Sequence, residues 1–293
     1  MSLQLNVGCR TVSVPDPVQG AVIPMRLLYP TRMPQSAQRF GPYEMELALN
    51  APPTIGRFPL LVISHGGGGT SLTHRDLACD LVRAGHAVAM IEHPGNSRID
   101  NSLEGTAGNL ENRPRHIRLA IDAALADAAV GDRLSSDRIA LIGHSMGGYT
   151  ALAVAGGRPA AGPHETADGS IRPVAVTRDR RVRALVLLAP ACAWFWSEDA
   201  LIDVDVPILL RTAERDELAH CLHIEYIAGG VRHPARVDHR VVANAGHHAF
   251  QSPFPPVMTR PDFPPSQDPP GFQRAAYQPI LHAEILSFLE NVF

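Results

Sequence analysis

The sequence predicts an α/β fold: a mostly parallel central sheet of about eight strands, helices on both faces, and N-terminal strands forming an antiparallel edge. Three observations predict it. Short apolar runs recur along the chain, among them FPLLVIS, AVAMI, RIALIG, ALVLL and PILL. Runs without polar alternation suit strands buried on both faces. Segments of helical spacing lie between them, and repeated strand–helix alternation goes with parallel strands joined by crossover helices.

Taken in order, residues 10–14 and 21–29 read as two strands separated by Pro and Gly. Residues 36–57, rich in Pro and polar groups, read as a loop. FPLLVISHGGGG is a buried strand ending in glycines. THRDLACDLVRAG has helical spacing and a Gly stop. HAVAMIEHPG is the next strand. RPRHIRLAIDAALADAAV reads as an amphipathic helix with Pro114 near its start, where the missing N–H has no partner to lose. RIALIG is a strand, and the small residues after HSMGG continue as a helix. RVRALVLLAP and VPILLRTAERDE hold two further strands, ELAHCLHIEYIAGG a helix, and DHRVVANAGHH a last strand and loop. AAYQPILHAEILSFLENVF closes the chain as an amphipathic helix. Residues 158–181 and 251–274 fit no regular element. Long loops are often functional. Both are candidate lid or pocket insertions in one domain spanning 1–293, with residues 1–57 as its N-terminal strands and loop.

The chain has 293 residues and a formal net charge of −3. No basic block marks nucleic acid or an anionic membrane as a partner, so the expected partner is a small-molecule substrate. All 26 basic residues are Arg, which excludes a Schiff-base, P-loop or general-base lysine. Cys9, Cys79, Cys192 and Cys221 are scattered and read as reduced, buried thiols. His233, His239, His247 and His248 have no metal-ligand spacing, and no metal or other cofactor is expected. No apolar run is long enough for a transmembrane helix, and the N-terminus lacks the regions of a secretory signal. The expected location is cytoplasmic, with monomer and homodimer both open.

The chemistry centres on LIGHSMGG. Here Ser145 sits in a G-x-S-x-G turn between a buried strand and a helix, the nucleophile-elbow pattern. So sharp a turn needs Gly143 and Gly147, because larger neighbours would strike the adjacent strand and helix. A serine needs a base. In this architecture the base follows the last strand, and the acid lies between serine and histidine in chain order. NAGHH offers His247, with His248 as alternative. TAERDE offers Asp216, a few residues past a strand end, with Glu214 as alternative. Oxyanion donors are expected at the Met146 N–H and in the loop His65-Gly66-Gly67-Gly68-Gly69, with Gly67 first and Gly68 next.

Together these residues resemble the α/β-hydrolase superfamily, from about residue 58 to the C-terminus. Within it the chain is most similar to bacterial dienelactone hydrolase-like proteins related to platelet-activating-factor acetylhydrolases. The shared pieces are PLLVISHGGGG, LVRAGHAVAMIEHPGNS, RPRHIRLAIDAAL, IGHSMGG and NAGHHAF. The resemblance implies a Ser-His-Asp esterase needing no metal, and it carries onto Ser145, His247, Met146 and Gly67. Two departures bear on it. Dienelactone hydrolases use a Cys nucleophile where this chain has Ser145. The acetylhydrolases place their Asp after the strand that follows the nucleophile helix, where this chain reads ALVLLAPACAW without a carboxylate. The acid is therefore expected at the next strand end, at Asp216.

On the substrate side, Trp194, Phe195 and Trp196 form one aromatic run past a strand end. It is either the wall of an acyl or aryl pocket or core beneath a loop. Gly68, His93, Asn96, Tyr149 and Phe250 are further candidates for the pocket. The expected reaction is cleavage of a carboxylic ester of a small or medium apolar acyl or aryl substrate through an acyl-enzyme on Ser145. An amide, lactone or thioester hydrolase with the same triad is the alternative within the enzymes. A non-catalytic hydrolase-fold binding protein is the alternative of another class. Such a chain should have lost a triad member or an oxyanion glycine.

Overall fold

In the computed structural model, which describes residues 5–219 and 222–293, the apolar runs become the middle of one ten-stranded sheet. The elements in chain order are β1 (Asn6–Asp16), β2 (Ala21–Thr31), β3 (Ser36–Phe40), β4 (Tyr43–Leu49), β5 (Phe58–Ser64), α1 (Arg75–Arg83), β6 (Ala87–Ile91), α2 (Ala107–Leu125), β7 (Leu134–His144), α3 (Met146–Ala155), β8 (Ala160–Ala161) and β9 (Arg172–Pro173). They continue as β10 (Val182–Leu188), β11 (Ile208–Ala213), α4 (Leu222–Gly230), β12 (Val237–Val242) and α5 (Arg274–Val292). The sheet runs β12-β11-β10-β7-β5-β6-β2-β1-β4-β3. Strands β6, β5, β7, β10, β11 and β12 are parallel; β2 pairs antiparallel with both β6 and β1.

Burial explains the parallel centre. Every residue of β5 is buried. Leu60 and Val62 pack into one apolar cluster with Ile117 and Ile121 of α2 and Leu152 of α3, whereas Leu61 and Ile63 pack into another with Leu77 and Leu81 of α1 and Leu281 and Ile285 of α5. Fully burying one such side chain is worth about 1.5–3 kcal/mol.

Two readings of the sequence need correction. Residues 36–57 are not all loop, and the sheet has ten strands rather than about eight: β3 and β4 form a hairpin on the antiparallel edge. Phe40 pairs with Tyr43 across a two-residue Gly41-Pro42 turn, and Gly41 takes φ +60°. Tyr43, Met45 and Leu47 point inward while Glu44 and Glu46 face solvent, the alternation of a half-buried strand. The second concerns α2, which begins at Ala107 instead of near Pro114. Thr106 caps it by accepting from the Asn109 N–H at 3.2 Å. Pro114 therefore lies inside the helix, where it cannot donate to the carbonyl of Leu110. The Tyr149 hydroxyl on α3 takes that place, donating to the Leu110 carbonyl at 2.9 Å.

Of the two irregular segments, 158–181 carries the short antiparallel pair β8–β9, and 251–274 carries two 3-10 turns, Pro256–Met258 and Pro264–Ser266. Cys9, Cys79 and Cys192 are buried thiols; Cys221 lies outside the described residues. Among the described residues no helix is long and apolar enough to cross a membrane.

Candidate active site

The chain leaves β5 for β6 on one side and then crosses to β7 on the other. At such a switch point the loops after neighbouring strands diverge and open a crevice at their carboxyl ends. The glycine loop after β5 and the serine turn after β7 meet there.

Ser145 has φ 53° and ψ −120°, a conformation that costs a non-glycine residue about 1–3 kcal/mol. Its surroundings enforce it. The Ser145 N–H donates to the Leu188 carbonyl at 3.0 Å, and the Ser145 carbonyl accepts from the N–H groups of Gly148 and Ala191 at 2.8 and 2.9 Å. A Cβ at Gly143 would collide with the Gly147 carbonyl, and one at Gly147 with the Ser64 carbonyl. Helix α3 starts at Met146, directing its free N–H groups and the positive end of its dipole at the serine.

The candidate acid and base, Asp216 and His247, follow the ends of β11 and β12. His247 Nδ1 lies 2.9 and 3.0 Å from the two oxygens of Asp216, and both side chains are only 6% exposed. Asp216 Oδ1 also accepts from the N–H groups of Leu218 and Ala219, at 2.9 and 2.8 Å. Burial alone would raise the Asp216 carboxyl; the His247 hydrogen bond and charge and these backbone donors outweigh it and hold the group below its ordinary value. The carboxylate fixes the proton on Nδ1, which leaves Nε2 as the accepting nitrogen. His144 adds a further anchor, its Nε2–H donating to the His247 carbonyl at 3.0 Å. The alternatives have other partners. Glu214 accepts from the Asn244 N–H at 2.7 Å. His248 is held by Gln251 at 3.1 Å, and burial pushes it down to about 4.

The glycine loop packs against the serine turn: a Cβ on Gly66 would stand 3.2 Å from the Cβ of Ser145. The Gly66 carbonyl accepts from His65 Nδ1 at 2.7 Å and from the Gly69 N–H at 3.1 Å. Because a trans peptide sets N–H opposite C=O, holding that carbonyl fixes the direction of the Gly67 N–H. Beneath the loop lies Arg113, 0% exposed and without a carboxylate partner among the described residues. It donates to Asn96 Oδ1 at 2.6 Å, Thr150 Oγ1 at 3.0 Å, Ser64 Oγ at 3.3 Å and the His65 carbonyl. Burial pushes its guanidinium down to about 9. This one side chain thus ties together the ends of β5 and β6, helix α2 and helix α3.

Ser145, His247, Met146 and Gly67 all line one cavity of about 390 Å3. Asp216 stands behind His247. Trp194 and Leu110 add apolar wall, and the buried Asn96 lines it as well. The remaining pocket candidates do not line it. Gly68 turns away at φ +60° toward Asn101. His93 is fully buried behind the loop, against Ser64 Oγ at 2.9 Å and His116 at 3.1 Å. Tyr149 faces Leu110 and packs on Trp194 and Phe195, with ring centroids 5.0 and 5.5 Å apart. Phe195 and Phe250 are core residues. Trp196 is 40% exposed and packs by Gly162. The aromatic run therefore divides: Trp194 is wall, Phe195 is core and Trp196 is surface.

The sequence reading missed two carboxylates. Glu104 and Glu165 line the cavity, and no arginine does. Glu165, from the 158–181 segment, accepts from Trp194 Nε1 at 3.1 Å and from the Gly162 N–H at 2.7 Å. That makes this insertion part of the pocket. Among the described residues no group of three or more His, Cys, Asp or Glu is placed to hold a metal.

Residues 59–215 match the family model of the alpha/beta hydrolase fold, and the chain belongs to that family. No curated protein matches it in sequence. Among solved structures it is similar to a ferulic acid esterase from Streptomyces cinnamoneus, with 20% identity and a TM-score of 0.69 over 100% of this chain and 91% of that one. It is also similar to a dienelactone hydrolase-like promiscuous phosphotriesterase from metagenomic libraries, with 15% identity and a TM-score of 0.62 over 98% and 99%. A dienelactone hydrolase from Anabaena variabilis gives 16% identity and a TM-score of 0.57 over the same shares.

Proposed function

We propose that this protein is a serine hydrolase that cleaves a neutral carboxylic ester through an acyl-enzyme on Ser145. The observation that carries the reading is the convergence of three features on one cavity. They are a serine on a strained turn, a histidine whose Nδ1 is held by a buried carboxylate, and a glycine loop against the serine. His247 Nε2 takes the Ser145 proton as Oγ attacks the ester carbonyl. The developing oxyanion is met by the N–H groups of Met146 and Gly67, each worth about 2.7–4 kcal/mol in comparable sites. The intermediate collapses, His247 returns the proton to the leaving alcohol, and a water activated by the same ring releases the acid.

The lining narrows the substrate. Glu104 and Glu165, with no arginine beside them, repel an acyl group bearing its own carboxylate. Trp194 and Leu110 favour a small or medium apolar one. The named activities of the similar structures, esterase and dienelactone hydrolase, lie in the same reaction class. The test is turnover of p-nitrophenyl acetate and butyrate by the wild type and by Ser145→Ala. Hydrolysis with an initial burst, lost in the variant, supports the reading. Equal turnover by both proteins contradicts it.

A further inference from the structure

Beside the catalytic cavity lies a second, more open cleft of about 530 Å3, and the two share Leu218, His247 and His248. The outer wall of this cleft is Pro264, Pro269 and Pro270, from the proline-rich segment that the triad chemistry leaves unused. The wall is tied down. Arg215 donates to the Pro270 carbonyl at 2.9 Å. Asp268 accepts from the Arg274 N–H at 2.7 Å and from its Nε at 3.0 Å, and the Arg274 side chain is 4% exposed. Asp268 is paired with Arg274, and Arg215 bonds the Pro270 carbonyl and Asn244 Oδ1; the exposed Glu217 also lines the cleft, and the apolar surface offered to a ligand is the proline wall with Leu218.

We propose that this cleft binds the alcohol half of the substrate, and that this half is a neutral, ring-bearing group such as an arylmethyl alcohol. The inference rests on the acyl-enzyme reading above. As the tetrahedral intermediate collapses, the bond from the acyl carbon to the alcohol oxygen breaks. The Ser145–acyl bond remains, and the proton on His247 Nε2 passes to the departing oxygen. That oxygen therefore lies against His247, and whatever is attached to it extends past the imidazole ring. The space past that ring, along Leu218 and His248, is the proline cleft. The cavity lined by Trp194 and Leu110 is left for the acyl half. A ring laid on fixed proline faces buries apolar area at little cost in ordering the protein.

The experiment holds the acyl group constant and varies the alcohol: ethyl, benzyl and 2-naphthylmethyl acetate, whose alcohols leave with similar intrinsic ease. The wild type should show kcat/KM rising with ring size, by about tenfold or more from ethyl to naphthylmethyl, mostly through KM. The double variant Pro264→Ala/Pro270→Ala should lose most of that preference while hydrolysing ethyl acetate at the wild-type rate. Gln267→Trp, which fills the cleft, should depress only the ring-bearing esters. Equal kcat/KM for all three esters overturns the cleft assignment and leaves the acyl-enzyme reading standing. So does a ring preference that survives in both variants. No turnover of any ester, ethyl acetate included, overturns both.

Discussion

Asp216 and Asp80 each hold a histidine through Nδ1, at 2.9 and 2.7 Å, yet the two couples sit in different settings. Asp80 on α1 bonds His282 on α5, and His282 Nε2 is taken up in turn by Gln278 at 3.1 Å. Both ring nitrogens are engaged, and the couple ties two helices together over one face of the sheet. His247 makes no such second bond: its Nε2 has no hydrogen-bond partner among the described residues, and the residue lines the same cavity as Ser145. Burial differs as well. Asp216 is 6% exposed and carries two backbone N–H donors, whereas Asp80 is 43% exposed. A carboxylate-held imidazole is common protein chemistry. An imidazole held on one side and left open on the other, beside a strained serine, is what a general base requires.

The sharpest break in this comparison is mutational. Ser145→Ala and His247→Gln should each lower kcat for p-nitrophenyl acetate by about 10⁴-fold or more, with little change in Tm. His282→Gln should do the reverse, leaving kcat intact and lowering Tm by about 2–4 °C. A loss of activity in His282→Gln with its fold intact would dissolve the distinction. Asp216→Asn should cost about 10⁴-fold in kcat by releasing the wrong tautomer, as the same change does in known Ser-His-Asp triads. Glu214→Gln should stay within about twofold, because Glu214 only accepts from a loop N–H. Steady-state kinetics on the two purified variants decides between them.

How much of this was legible in the sequence follows from where each residue's signal lives. Ser145, Asp216 and His247 each follow a strand of the parallel sheet, and chain order alone places them in line. The β3–β4 hairpin also left a readable signal, the alternation Tyr43-Glu44-Met45-Glu46-Leu47, but the Pro and polar residues flanking it disguised it. Arg113 was not legible. An arginine at the head of an amphipathic pattern reads as surface, and its complete burial depends on four elements converging from distant parts of the chain. Glu165 was hidden for a similar reason, since it comes from an irregular segment whose path no periodicity reveals. The aromatic run could not be divided into wall, core and surface from its composition, because its backbone follows neither a helical nor a strand period.

Arg113 gives the next largest effect. Arg113→Met removes the donor from the His65 carbonyl and from three side-chain oxygens, at about 1–3 kcal/mol for each buried acceptor left bare. With the first peptide of the glycine loop released, kcat should fall about 10- to 100-fold while KM moves little. Arg113→Lys, which keeps the charge and part of the bonding, should recover some of the loss. Equal falls in 1/KM and kcat would assign Arg113 to general packing instead.

The buried histidines set the dependence of stability on pH. Burial holds His65 at about 3, His74 at about 4, His116 at about 3 and His248 at about 4. Unfolded, each titrates near 6.5. His93 and His144 are held well down by burial too, so between pH 6.5 and 4 the unfolded chain binds several more protons than the folded one, and stability falls as pH falls. Asp216 and Asp80, both held below their ordinary values, add to the loss only at lower pH, as the pH drops through their folded values. Thermal melts from pH 8 to pH 4 should show the decline beginning near 6.5; a flat Tm would contradict it. The smallest effect belongs to Tyr149→Phe. It strips the Leu110 carbonyl of the donor that replaces the Pro114 N–H, for a loss of about 1 kcal/mol and no change in kcat.

The central claim is that Ser145 is the nucleophile, and a fluorophosphonate probe followed by peptide mass mapping tests it most directly. The predicted result is one phosphonyl adduct, on the peptide containing Gly143-His144-Ser145-Met146-Gly147 and localised to Ser145, formed as esterase activity is lost and absent in His247→Gln. An enzyme that hydrolyses p-nitrophenyl acetate while Ser145 stays unlabelled, or that carries its inactivating adduct on another residue, would contradict it.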